Sequence, residues 1–98
     1  MKCYMMTWNL GLEGGGTIDR QTILAALDKD PTVVNWRAAV GAIFIISEKS
    51  QFDVGLSIHN TFPKLHFVVT PLDAYQLGGW ADKDTWDFIV RPRRIGEA

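Results

Sequence analysis

"SQFDVGLSIHNTFP", Ser50 to Pro63, decides the fold of this chain because it reads in two ways. Phe52, Val54, Leu56 and Ile58 alternate strictly, which is the period of a strand. Ser50 and Asp53, in turn, have the spacing of a helix N-cap followed by an acidic third position, and Pro63 supplies a stop. Gly55 weakens either assignment. Length and caps favour the helix, and a helix from Ser50 to Phe62 is the expectation.

Working outward, Ala42 to Ser47 is a short, isoleucine-rich strand. Val33 to Ala39 precedes it as another strand, and Gly41 offers the turn of a hairpin. On the far side of the helix, Leu65 to Thr70 alternates cleanly, with Leu65, Phe67 and Val69 facing one way, and Pro71 closes it. At the N-terminus, Tyr4, Met6, Trp8 and Leu10 line one face of a strand, with Cys3, Met5, Thr7 and Asn9 on the other. Gly11 to Thr17 forms a loop. A helix from Arg20 to Asp28 follows, capped by Asp19 and stapled by Ile18 and Ile23, with Ile23, Leu24 and Leu27 as its apolar stripe. Leu72 to Asp84 reads as a polar loop bearing Gly78, Gly79 and Trp80. Trp86 to Arg91 reads as a last strand, with Trp86, Phe88 and Val90 on one face, before the ending RPRRIGEA.

The order is strand, helix, strand, strand, helix, strand, and then one more strand or an extended tail. That is an α+β, ferredoxin-like split βαβ sandwich with an additional C-terminal strand. Residues 1–98 make a single domain, with 91–98 as a flexible basic tail. Such a sheet carries its helices on one face. The other face would hold Met5, Ile43 or Phe44, Val68 and Ile89, too apolar to be left wet. A homodimer packed through its sheets is therefore expected. The alternative is that the Leu72 to Asp84 loop folds back over that face.

A formal net charge of −1 provides no global steering toward nucleic acid or an anionic membrane. The single cysteine, Cys3, excludes an intrachain disulfide and fits a reducing compartment. No apolar run approaches the roughly 20 residues of a membrane span, and the start MKCYMMTWN is too polar for a signal-peptide core. The expectation is a cytoplasmic protein without a membrane partner.

Three stretches together resemble a family. They are the strand Tyr4 to Leu10, Trp36 before the apolar arm Ala42 to Ser47, and the late strand Leu65 to Leu72 followed by Trp80. They look like the small SinR-type proteins related to the CRISPR-associated small integration subunit and to the virulence-associated ribonucleases. That resemblance implies a ferredoxin-like dimer with a link to nucleic acid. The nuclease members are expected to hold a metal ion on an aspartate at the end of the first strand. Asn9, in "TWNLG", stands at that position and lacks the negative charge that a hard cation needs. Glu13 and Asp19 are the neighbouring carboxylates in sequence.

No enzymatic constellation emerges from the residues themselves. Gly14, Gly15, Gly16 and Thr17 precede a helix, as a phosphate cradle would. Gly16, however, stands where a P-loop needs lysine, and the Asp19 cap would repel an anion. A hinge is the expected role. Arg91, Arg93 and Arg94 form the one cationic cluster and, with Trp80 to stack on a base, are the candidate nucleic-acid contacts. Trp86 is a second indole in reach of that role. Cys3, His59 and His66 lack paired ligand spacing, so no metal and no cofactor is expected. Asp82, Asp84 and Asp87 lack the glycine and glutamate of a calcium loop. The functional expectation is a non-enzymatic homodimer that binds nucleic acid or a protein partner. The rivals are a metal-dependent nuclease using Asn9 with Glu13 or Asp19, and a pure protein-interaction module.

Overall fold

The computed structural model describes residues 1–10 and 17–96. Seven elements follow one another: β1 (Lys2–Trp8), α1 (Arg20–Lys29), β2 (Asn35–Ala39), β3 (Ala42–Ser47), α2 (Gln51–Thr61), β4 (Phe67–Pro71) and α3 (Lys83–Val90). The strands form one antiparallel sheet in the order β2-β3-β1-β4. The domain is α+β.

Local chemistry sets each element. The Asp19 carboxylate accepts from the Thr22 N–H at 2.8 Å and starts α1. Ser50 does the same for Asp53 and starts α2. Helix therefore prevails over alternation between Ser50 and Phe62. Residues 52, 54, 56 and 58 then cannot all face one way. Val54 and Ile58, four apart, turn inward and are buried, while Phe52 and Leu56 are left outside. The β2–β3 hairpin pairs Ala39 with Ala42 across Val40 and Gly41, and Gly41 takes the corner at φ +82°.

One sheet face carries the main core. Tyr4 and Met6 of β1 and Ile43 and Ile45 of β3 pack with Ile23, Leu24 and Leu27 of α1 and with Val54 and Ile58 of α2. Each fully buried side chain of this size stabilises the fold by about 1.5–3 kcal/mol. Tyr4 is wholly buried and donates its hydroxyl to the Lys49 carbonyl at 2.7 Å. Asp30, at the end of α1, accepts from the Thr32 N–H and hydroxyl and from the Ser57 hydroxyl of α2, joining the two helices. Among the described residues, no buried side-chain nitrogen or oxygen lacks a partner.

The last element differs from the sequence reading. Trp86 to Arg91 is not an additional strand, because Lys83–Val90 is a helix. The Asp82 carboxylate accepts from both the N–H and the hydroxyl of Thr85, which caps the first turn. The residues it buries are Thr85, Phe88 and Ile89, spaced three and one apart as one helical stripe, whereas Val90 is exposed. The alternation of Trp86, Phe88 and Val90 has no sheet to serve.

Helix α3 also changes the second sheet face. Cys3 and Ile46 on that face pack against Phe88 and Ile89, with Val34, Phe44, Leu72, Leu77 and Trp86 around them. The helices thus lie on both faces. The alternative to the expected sheet-packed dimer, a fold-back of the Leu72 to Asp84 segment, occurs in part, through Leu72 and Leu77. What stays open on this face is the β1–β4 side, where Thr7 pairs with Val68 and Met5 with Thr70. Val68 and Thr70 are exposed there.

Candidate binding surfaces

The tail arginines are held by carboxylates. Arg91 grips Asp87 of α3 with Nε and Nη2, at 2.8 and 3.3 Å. Arg93 reaches the same carboxylate at 2.8 Å and donates to the Arg91 carbonyl. Arg94 pairs with Glu48. The Asn35 side-chain amide of β2 donates to the Arg93 carbonyl, so residues 91–94 run against the sheet and α3. The Arg91 hydrogen bond, reinforced by Arg93, holds the Asp87 carboxyl below the usual aspartate range. An approaching phosphate would have to displace these carboxylates.

Trp80 is wholly exposed. It stands at the lip of a cleft of about 280 Å³ on the second sheet face, with Met5, Phe44, Leu72, Leu77 and Trp86 among the lining residues. No arginine lines this cleft, so the structure does not bring Trp80 and the tail cations to one site. A wider recess of about 410 Å³ lies on the other side of Leu72, where Lys2, Asp73 and Tyr75 contribute to its wall.

Asn9 has a structural use. Its φ of 57° is left-handed, a conformation asparagine tolerates better than most residues. Its side-chain oxygen accepts from the Ile18 N–H at 2.9 Å, and its side-chain nitrogen donates to the Ile18 carbonyl at 3.0 Å. The Leu10 N–H donates to the His66 carbonyl beside it, tying the end of β1 to the start of β4. Asp19 is likewise occupied as the α1 cap, and its hydrogen bonds from Thr22 lower its pKa. Glu13 and the glycines Gly11, Gly14, Gly15 and Gly16 lie outside the described residues, and the phosphate-loop and hinge readings lie there with them.

The remaining sequence candidates disperse. Asp82 caps α3 and pairs with Arg37 of β2 at 3.1 Å, and its pKa is lowered first by Thr85 and then by Arg37. Cys3 is buried, and burial pushes its thiol up to about 12. His59 and His66 are both exposed. Among the described residues, no three His, Cys, Asp or Glu side chains are grouped to hold a metal ion. No helix there is long and apolar enough to cross a membrane.

The residues that sequence reasoning missed are apolar. Phe52 and Leu56, 79% and 58% exposed, stand one turn apart on the outside of α2. Gly55 lies between them, and nothing comes within 4 Å of where its Cβ would be. A signal for this pair did exist, since strict alternation folded as a helix must put apolar residues on both sides. Arg37, which joins β2 to the N-terminus of α3, carried no such signal.

Comparison with protein-family models, with curated proteins and with solved structures gave no match.

Proposed function

We propose that this chain is a ferredoxin-like, non-catalytic interaction domain that self-associates through the outer face of α2. The ferredoxin-like reading is supported by the strand order β2-β3-β1-β4 and by two crossovers. The first, β1-α1-β2, passes over β3, and the second, β3-α2-β4, passes over β1. The observation that carries the interaction reading is the exposed pair Phe52 and Leu56. Large apolar side chains adjacent on one helix face, with a glycine between them, let another helix approach closely. Two α2 helices packed antiparallel would set the acidic first turn, with Asp53, beside the last turn, with His59, of the other copy.

A protein partner is favoured over nucleic acid because Arg91, Arg93 and Arg94 all engage carboxylates. The nuclease reading is disfavoured because both ends of the Asn9 carboxamide are taken by Ile18. A reducing, cytoplasmic location accords with the one free, buried cysteine.

Sedimentation velocity over a micromolar concentration series tests this directly. A dimer is expected, and Phe52→Glu should return it to monomer while Val68→Glu, on the open sheet strip, should not. The reverse pattern would move the interface to the sheet face. A monomer at every concentration would end the self-association reading. Fluorescence anisotropy with short RNA and DNA strands at low salt should show no binding.

A further inference from the structure

The cleft under Trp80 has a chemistry that self-association through α2 does not use. Its floor is built from two directly paired residues, Met5 of β1 and Phe44 of β3, which lie opposite each other in the antiparallel register. Trp86 of α3 makes one wall and Leu77 another, and Trp80 stands at the mouth. The site thus offers two indoles, a phenyl ring and a thioether around about 280 Å³. That volume lies just below the range for drug-sized ligand sites, about 300–1,000 Å³. It has room for one or two fused rings.

The lining also defines charge. No Lys, Arg, Asp, Glu or His side chain contributes to it. Arg37 of β2 and Asp82 pair with each other at the N-terminus of α3, where Arg37 also donates to the Thr85 hydroxyl. An anionic ligand would lose its hydration with no partner in return, and the faces of the aromatic rings would repel it. A flat apolar ring, by contrast, gains edge-to-face or offset contacts with the indoles and phenyl, and a sulfur contact with Met5. Trp80 is fully exposed and has no packing of its own. A ring in the cleft would give it some.

We propose that this cleft is a binding site for an uncharged, planar aromatic molecule of one or two fused rings. The site lies on the opposite sheet face from α2, and the inference stands whether or not the chain dimerises.

The test is a titration of the whole protein with 2-naphthol, followed by calorimetry and by amide chemical shifts. 2-Naphthoate serves as the charged counterpart. Saturable binding is expected, with shifts concentrated at Met5, Phe44, Leu77 to Ala81 and Trp86. Trp80→Ala should weaken it about tenfold, the size of one lost aromatic contact. Because Trp80 packs against nothing, that variant should melt like the parent. Phe44→Leu, which keeps bulk but not the ring, should weaken binding severalfold, and Phe52→Glu should leave it unchanged. Three results would each overturn the proposal: no saturation up to the solubility of 2-naphthol, affinity indifferent to Trp80→Ala, or 2-naphthoate binding as well as 2-naphthol.

Discussion

Asn9 gives both ends of its carboxamide to one residue, Ile18, and so joins the end of β1 to the residue before the α1 cap. The arrangement copies a pair of backbone hydrogen bonds with a side chain. It explains why an amide stands at this position. A carboxylate could still accept from the Ile18 N–H, but it could not donate to the Ile18 carbonyl and would face that oxygen with like charge.

Asn9→Asp should therefore destabilise the fold by about 1 kcal/mol, the scale of one partly exposed hydrogen bond. Urea unfolding measures the loss. Magnesium or manganese should leave the melting temperature of this variant unchanged. A metal-dependent rise would instead revive the nuclease reading, with the strand end as its metal site.

Gly55→Ala should separate monomer stability from association. The position is in mid-helix, and an added Cβ meets nothing within 4 Å. Replacing glycine by alanine at such a site should stabilise the monomer by about 0.4–1 kcal/mol. The same methyl group would stand between two close-packed α2 helices and weaken their contact. The expected pair of results is a higher melting temperature when dilute and a weaker dimer by sedimentation. If Gly55→Ala tightens the dimer, close helix approach is wrong.

Acid should loosen α3. Asp82 and Asp87 both have pKa values lowered in the folded state, chiefly by Thr85 for Asp82 and by Arg91 for Asp87. A lowered folded pKa contributes stability above the unfolded value, about 3.9 for aspartate, and that contribution is lost as pH falls through the folded pKa. Stability should accordingly decline below about pH 4, the ordinary aspartate range. Asp82→Asn should be less stable than the parent at neutral pH and show a shallower decline. Far-UV circular dichroism melts at stepped pH give both, and an equally steep decline in Asp82→Asn would place the acid sensitivity elsewhere.

Cys3 should be chemically silent in the native state. Its thiol is buried against Ile46, Phe88 and Ile89 and is pushed up to about 12 from an ordinary 9.0. The native protein at pH 8 should react with a disulfide reagent only at the rate at which α3 lifts off or the chain unfolds. Destabilising α3 with Phe88→Ala should speed labelling. Because the folded thiol titrates above the unfolded one, stability should also fall as pH rises past 9.0. Rapid stoichiometric labelling of the parent would contradict this burial.

The helix caps were legible in the residues because capping is local. Asp19 and Ser50 each act on an amide three positions away, and no distant contact is needed to recognise them. The β2–β3 hairpin was legible for the same reason, through its short turn at Gly41. Trp86 to Arg91 misled because a two-residue alternation and a helical stripe share Phe88. The Asp82 cap on Thr85 and the Cys3–Ile46 surface that buries Phe88 and Ile89 together decide for the helix. The tail arginines read as a cationic cluster; the i,i+4 partner of Arg91, Asp87, lay within reach of the sequence once the last segment is a helix, whereas Arg94's partner Glu48 is set by tertiary packing. Met5, Phe44 and Trp80 border one cleft for that reason too: strand register and the return of the chain across the sheet place residues far apart in sequence around it. Short-range hydrogen bonding wrote the elements into the chain, and long-range burial decided which surfaces they left open.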